Sequence, residues 1–100
     1  MQVYTELTFH GLAHNDSAEA AVERWVARLE HMHRRLYKCE VVIGQPKSRH
    51  RDFHVHVLIE GQGVELASNA EHDDLYPAIA DALRAAHRQL RTSTELRLAP

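Results

Sequence analysis

The sequence predicts an α+β fold in which two helices pack on one face of a four-stranded sheet, in the order β-α-β-β-β-α. Four short segments have the residue patterns of strands, and two of these segments alternate apolar and polar residues cleanly. Two longer segments place apolar residues at helical spacing, so each needs a surface on which to bury that stripe. Covering one sheet face with both helices buries both stripes and leaves the other face open.

The length and composition favour one folded domain. A chain of 100 residues is long enough for one domain and too short for two, and its 44% hydrophobic and 26% charged residues are typical of globular proteins. We assign residues 1–92 to this domain and expect residues 93–100 to form a flexible tail. No apolar run approaches the roughly 20 residues that span a bilayer, so we expect a cytoplasmic protein without a membrane partner.

A strand and a long helix open the chain. Residues 2–9 alternate in the manner of a half-buried strand. From Ser17 to about Leu36 the apolar residues recur at helical spacing, which predicts one long helix. Asp16, with a glutamate three residues later, has the capping-box pattern that begins a helix, and Asn15 is a competing cap.

Three further strands follow, and the last two form a hairpin. Residues 39–46 and 52–60 have strand patterns, and a glycine-containing turn at 61–63 leads into a fourth strand at 64–70. The alternation of the third strand predicts which side chains face the core. Phe53, Val55, Val57 and Ile59 are expected to point inward, and His54, His56 and Leu58 outward.

The second helix is predicted over residues 75–91. Asp73 and Asp74 precede it and supply a cap and negative charge, both of which a helix N-terminus favours. Pro77 falls in the first turn, where its missing N–H is tolerated. The predicted buried stripe is Leu75, Ile79, Ala82, Leu83, Ala86 and Leu90.

Arginine residues gather on the outward sides of both predicted helices, although the formal net charge of the chain is -2. Ten of the 12 basic residues are arginines, whose planar fork fits phosphate bidentately and stacks on bases, so the pattern favours an RNA-binding surface. The alternative is an ordinary solvated face stabilised by ion pairs along each helix. The candidate RNA-binding residues are Arg24, Arg28 and Arg35 on the first helix, Lys47, Arg49 and Arg51 in the loop between the second and third strands, and Arg84, Arg88 and Arg91 on the second helix.

Catalytic and metal sites are less well supported by the sequence. The chain has no glycine-rich phosphate loop, serine elbow or fixed carboxylate pair, so we expect no catalytic residue, cofactor or small-molecule substrate. His54 and His56 point outward from one strand, but spacing fixes no third ligand, so we expect no metal site. Cys39 is the only cysteine and is expected to be a small core side chain.

The open sheet face supplies the alternative function, a protein-interaction module that could form a weak homodimer. Mildly apolar open faces sometimes mark such contacts, although scattered outward apolar residues are common. The outward residues of this kind are Tyr4, Val42, Leu58 and Ala67.

Three strings, "MQVYTELTF", "VARLEHMHRRLYKCEVVI" and "DDLYPAIADALRAAHRQL", resemble one family along nearly the whole chain. It is the bacterial ribosome hibernation promoting factor and ribosome-associated inhibitor family, also called sigma-54 modulation or ribosomal subunit interface proteins. The resemblance implies the β-α-β-β-β-α order, a fold like that of double-stranded-RNA-binding domains. The third string carries the family's pattern most specifically, at Asp74, Tyr76, Ala78, Ile79, Arg88, Gln89 and Leu90.

The resemblance also implies a function. Family members are not enzymes: they bind the small ribosomal subunit and its ribosomal RNA in the channel for messenger and transfer RNA, and they silence translation under stress or in stationary phase. Arg28 and Arg88 match basic family positions. Long members carry a further C-terminal domain that pairs ribosomes. This chain resembles the short form, so we expect no ribosome pairing by that route.

The sequence departs from the family pattern at four positions. Glu19 and Trp25 stand where relatives often have basic residues, and Ala85 and Thr92 stand where relatives often have lysines. We expect neighbouring arginines on the same helix faces to compensate for these departures. They are Arg24, Arg84 and Arg91.

Overall fold

The order of elements and the sheet topology confirm the predicted fold class. The computed structural model describes residues 3–33, 35–45 and 52–98. The elements are β1 (Tyr4–His10), α1 (Asp16–Met32), β2 (Leu36–Gly44), β3 (Phe53–Gly61), β4 (Val64–His72) and α2 (Leu75–Leu98). The strands lie in sequence order in one sheet, with β1 parallel to β2 and the other neighbours antiparallel. Helix α1 packs over β1 and β2, and α2 packs over β3 and β4.

The hydrophobic core lies between the sheet and the two helices. The alternation of β3 places Val55, Val57 and Ile59 in this core with at most 1% of their surface exposed, whereas His54 and His56 are exposed on the other face. This confirms the inward and outward assignment predicted for that strand. The stripe predicted for the second helix is also buried, and Ala78 joins it. The buried residues of α1 are Ala18, Val22, Val26 and Leu29.

Helix α1 begins at a different cap from the one that the capping-box pattern indicated. The side-chain oxygen of Asn15 accepts a hydrogen bond from the backbone N–H of Ala18 at 3.1 Å. The carbonyl oxygen of Asn15 accepts a second bond from the N–H of Glu19 at 3.0 Å. Asn15, the competing candidate, is therefore the N-cap, and Asp16 is the first residue of the helix.

Helix α1 ends at Met32, one turn before the predicted end near Leu36. His33 leaves helical geometry with φ -132° and ψ 89°. Leu36 has the spacing that continues the apolar stripe, but it begins β2 and is only 5% exposed there. Burial in β2 removes the Leu36 side chain from water as burial on a helix would. Spacing alone therefore could not show whether Leu36 belongs to the helix or to the strand. Helix α2, in contrast, continues to Leu98 and is longer than predicted.

Two polar contacts fix α2 on the sheet. The buried hydroxyl of Ser68 in β4 donates a hydrogen bond to the carbonyl oxygen of Ala82 at 2.8 Å. The side-chain amide of Gln89 donates to the carbonyl oxygen of Ala67 at 3.0 Å. Because Ser68 is 4% exposed, its hydroxyl needs this partner inside the protein. Both bonds join α2 to β4.

The two helices also meet at the C-terminal end of α1, through two histidines. The rings of His33 and His87 lie with centroids 5.9 Å apart in an edge arrangement. The Nε2 atom of each ring is buried and has no hydrogen-bond partner within the described part of the chain. Burial, and secondarily the positive charge of a protonated His87, lowers the pKa of His33 below its ordinary value.

The turn between α1 and β2 approaches the β3–β4 hairpin very closely. The N–H of Gln62 donates a hydrogen bond to the carbonyl oxygen of Arg35 at 2.8 Å. A Cβ on Gly61 would lie 2.6 Å from that same oxygen and 3.0 Å from the Cα of Leu36. Only glycine therefore fits at this position without moving backbone.

We expect Gly61→Ala to lower the free energy of unfolding by about 1–3 kcal/mol, the range for overpacking against atoms that cannot move aside. Gly44→Ala is the matched control, because the nearest atom to its Cβ would be the carbonyl oxygen of His10 at 3.9 Å. Urea unfolding of both variants measures the difference. Equal stabilities of the two variants would contradict the close approach at Gly61.

The lowered pKa of His33 predicts a loss of stability in acid. Above about pH 6.5 the imidazole is neutral in both folded and unfolded chains, so the shift has no effect there. As the pH falls through that value, the unfolded chain binds the proton first, and stability declines until the lower pKa of the folded state is passed. We expect the decline in unfolding free energy between pH 7.5 and 5.5 to be smaller in His33→Gln than in the wild type. An unchanged decline would contradict the prediction, and His31→Gln, which removes an exposed imidazole from α1, is the control.

Candidate nucleic-acid interface

The charges of α1 are sorted between two flanks of the helix. Arg24 and Arg28 are exposed on the flank next to α2. Glu19 and Glu23 lie on the opposite flank, where they line a shallow groove together with Thr5 of β1. The departure from the family pattern at Glu19 therefore falls outside the basic flank. Glu19 instead contacts the ring of His14 at 2.9 Å.

Helix α2 presents its three candidate arginines to solvent, as predicted. Arg84, Arg88 and Arg91 are exposed. The guanidinium of Arg84 lies 3.5 Å from a carboxylate oxygen of Asp81, an exposed contact that contributes little to stability. The hydroxyl of Thr92, at another departure from the family pattern, donates to the carbonyl oxygen of Arg88 at 3.1 Å.

Trp25 joins the basic residues of the two helices. Its ring is partly buried and packs against the core between α1 and α2. The guanidinium carbon of Arg28, one turn along α1, lies 5.2 Å from the ring centroid. The guanidinium carbon of Arg84, which comes from α2, lies 5.8 Å from the same centroid. Both distances are in the range of cation–π contacts, so one aromatic ring brings arginines of both helices together.

We define the helix surface as the exposed residues Arg24, Arg28, Arg84, Arg88 and Arg91 together with Trp25. The prediction that Arg35 continues the arginine stripe of α1 is wrong. The helix ends before this residue, and Arg35 lies in the turn that leads into β2. The predicted loop residues Lys47, Arg49 and Arg51 lie outside the described residues.

The open sheet face has the opposite charge. Register places the outward residues of the four strands in rows, in which Glu6 lies beside Glu40 and Glu60 lies opposite Glu65. Lys38 is the only lysine or arginine of the four strands on this face. The glutamates of this face are Glu6, Glu40, Glu60, Glu65 and Glu71. The glutamates of the open sheet face and the arginines of the helix surface thus lie on different sides of the domain, while Glu19 and Glu23 lie on the other flank of α1.

The two β3 histidines of the open sheet face have partners within the sheet. A ring nitrogen of His54 lies 3.2 Å from a carboxylate oxygen of Glu71. A ring nitrogen of His56 lies 2.6 Å from the side-chain oxygen of Asn69.

A group of possible metal ligands lies near the N-terminus of α1. Within the described ranges, the only three side chains close enough to share a metal ion are His14, Asp16 and Glu19, at the start of α1. Exposed groups of this kind are common without an ion, and we assign no metal site to them. The thiol of Cys39 is only 2% exposed, and burial raises its pKa to about 11, so it does not form a reactive thiolate.

The sequence reasoning missed the role of Trp25. The spacing of three residues between Trp25 and Arg28 was a usable signal, since residues three apart are neighbours on a helix. The contact with Arg84 depends on how α1 and α2 pack, which no local pattern shows.

Within the described residues, neither α1 nor α2 contains an apolar stretch of the length that a membrane-spanning helix needs.

Comparisons with known proteins agree with this fold. The sequence profile of the family described as Sigma 54 modulation protein / S30EA ribosomal protein matches residues 5–97. The N-terminal domain of Protein Y from Thermus thermophilus has a similar structure, with a TM-score of 0.78 and 24% identity over 92% of this chain and 98% of that chain. A ribosomal subunit interface protein from Coxiella burnetii gives a TM-score of 0.82 and 15% identity over 93% of this chain and 99% of that chain. A search of curated protein sequences gives no match.

At these identities the two solved structures show the shared fold alone. The family profile goes further, because it extends over nearly the whole chain and confirms the resemblance carried by the sequence strings. The protein therefore belongs to the Sigma 54 modulation protein / S30EA ribosomal protein family, whose members associate with the ribosome.

Proposed function

We propose that this protein is a non-enzymatic translation inhibitor that docks its helix surface on RNA of the small ribosomal subunit and blocks the channel for messenger and transfer RNA. The observation that carries the proposal is the meeting of Arg28 and Arg84 over the ring of Trp25. Arg84 also contacts Asp81 of its own helix, as it would on an ordinary solvated face, but pairing along single helices does not account for the convergence of arginines from two helices on one ring.

The separation of charge supports the same docking orientation. RNA attracts the helix surface and repels the glutamates of the open sheet face, because its phosphates carry negative charge. A protein with a formal net charge of -2 can thus bind RNA through one side without binding it indiscriminately. The inhibitory action needs no chemistry: a folded domain held in the channel excludes the RNA that would otherwise occupy it.

The family resemblance supports the physiological setting. We assign the activity to stress or stationary phase, when inactive ribosomes are stored. The departures at Ala85 and Thr92 remove basic side chains found in relatives, and we infer that Arg84 and Arg91 replace their charge from adjacent positions on α2. Arg88 is the residue of this helix that both the family pattern and its exposure support.

A second candidate function, docking of a protein through the open sheet face, is favoured by Tyr4, which is 65% exposed there. Leu58 and Val42 are partly buried on the same face and extend the apolar area. A symmetric homodimer through this face would bring two sets of glutamates together, which opposes pairing. The weak homodimer is therefore less favoured than docking of a different protein.

We expect Arg28→Glu combined with Arg88→Glu to abolish co-sedimentation with purified small subunits at moderate salt. Each phosphate contact that is lost should also reduce the slope of log binding constant against log salt by about 1. The matched comparison is Arg88→Glu against Lys38→Glu, because both change the charge by the same amount, on the helix surface and on the open sheet face respectively.

Wild-type binding by the double variant would contradict docking through the helix surface. Leu58→Glu separates the second candidate function. It should leave ribosome binding unchanged if the helix surface docks. If the protein instead captures a partner protein through the open sheet face, that capture should need no ribosomal RNA, should be insensitive to salt and should be abolished by Leu58→Glu.

A further inference from the structure

Trp25 is the one aromatic residue of the helix surface, whose other members are arginines. It is the only tryptophan of the chain. Its ring is partly buried and packs against the core, which restricts the rotamers open to it. Trp25 therefore has less conformational freedom than the exposed arginines around it.

Two long, flexible cations lie over this rigid ring. The guanidinium carbon of Arg28 is 5.2 Å from the ring centroid, and that of Arg84 is 5.8 Å from it. An exposed arginine on its own samples many rotamers, and much of that freedom is lost when it binds a phosphate. Contact with a fixed aromatic ring reduces this freedom before any ligand arrives.

The contact with the ring leaves the donors of the guanidinium groups available. The five N–H groups of an arginine point outward in the plane of the group, whereas the cation–π attraction acts on the group as a whole. A phosphate can therefore accept hydrogen bonds from the edge of each guanidinium while both remain over Trp25. The two guanidinium carbons lie no farther apart than the sum of their distances to the shared centroid, a span that two consecutive phosphodiesters of one strand can bridge.

One carboxylate competes for this position. Asp81 lies one turn before Arg84 on α2, and its oxygen is 3.5 Å from the guanidinium. This distance is at the outer limit of hydrogen bonding, and both side chains are exposed. A phosphate that accepts bonds from Arg84 would displace Asp81 and would meet its negative charge.

We propose that Trp25 is a positioning residue that holds Arg28 and Arg84 as a clamp for the phosphodiester backbone of RNA. The choice of RNA as the source of the phosphate rests on the proposed function, and the clamp specifies which side chains make that contact and how they are prepared for it. Asp81 weakens the clamp and sets a limit on its affinity.

Binding of small subunits by a set of variants tests the clamp. We expect Trp25→Leu to weaken binding about tenfold, since two arginine side chains must then lose their rotamer freedom on binding, and Trp25→Phe to keep most of the affinity because its ring still attracts both cations. Asp81→Asn should strengthen binding a few-fold at low salt.

A double-mutant cycle separates positioning from general packing. The effects of Trp25→Leu and Arg84→Gln should be less than additive, because each removes the same clamp, whereas Trp25→Leu and Arg88→Gln should add. Additive effects in both pairs would overturn the clamp. They would leave docking through the helix surface intact if Arg28→Glu combined with Arg88→Glu still abolished binding.

Fluorescence gives a second readout that uses only variants with Trp25 in place. All tryptophan emission of the protein comes from Trp25, so its change on titration with a short double-stranded RNA reports the clamp directly. We expect Arg88→Gln to weaken binding but to keep the full change at saturation. Arg28→Gln combined with Arg84→Gln should remove that change. An unaltered change in this last variant would contradict the clamp even if Trp25→Leu failed to fold.

Discussion

The rest of the structure depends on the burial of two amphipathic helices against a single face of the sheet. Val22 and Leu29 of α1 and Ile79 and Leu83 of α2 are almost completely buried, and each lies in a stripe that follows helical spacing. Once these stripes face the sheet, the positions of all other side chains on the helices are determined. The basic residues are placed outward because the apolar ones are placed inward. The parallel pairing of β1 and β2 reinforces this arrangement, because the chain must cross over one sheet face between them, and α1 is that crossover.

The charges of the domain are distributed unevenly between the open sheet face and the helix surface. Side chains of opposite sign could have been mixed on every surface, as is common for soluble proteins. Instead the open sheet face carries glutamates in neighbouring positions, such as Glu60 opposite Glu65, although like charges directly across a sheet are unfavourable. The helix surface carries the arginines. The net charge sums over both faces and so conceals the local positive charge of the helix surface, which is what an anionic partner would meet.

The parts of the fold that the sequence predicted are those in which one local pattern had one physical meaning. Alternation in β3 could only be read as a strand with Val57 inward and His56 outward, and the structure agrees. The end of α1 was wrong because Leu36 satisfied two patterns at once, as the next residue of an apolar helical stripe and as the first buried residue of β2. Arg35 was misplaced with it, since its predicted position depended on helical phase.

The candidate site shows a similar division. The exposure of Arg28, Arg84 and Arg88 follows from helical geometry and was predicted. The meeting of Arg28 and Arg84 over Trp25 requires the packing of α1 against α2, and sequence separation hides it. The same holds for His33 and His87, whose rings come from the end of one helix and the middle of the other. Both the arginine pair and the histidine pair depend on how the two helices pack, and a single sequence does not show such contacts between elements.

The central claim is that the helix surface, and not the open sheet face, contacts the small subunit. Hydroxyl-radical footprinting of the protein alone and bound to small subunits tests this most directly, because each face carries an oxidisable aromatic residue. The account predicts that binding protects Trp25 on the helix surface and leaves Tyr4, which is 65% exposed on the open sheet face, as reactive as before. Protection of Tyr4 with no protection of Trp25 would contradict it.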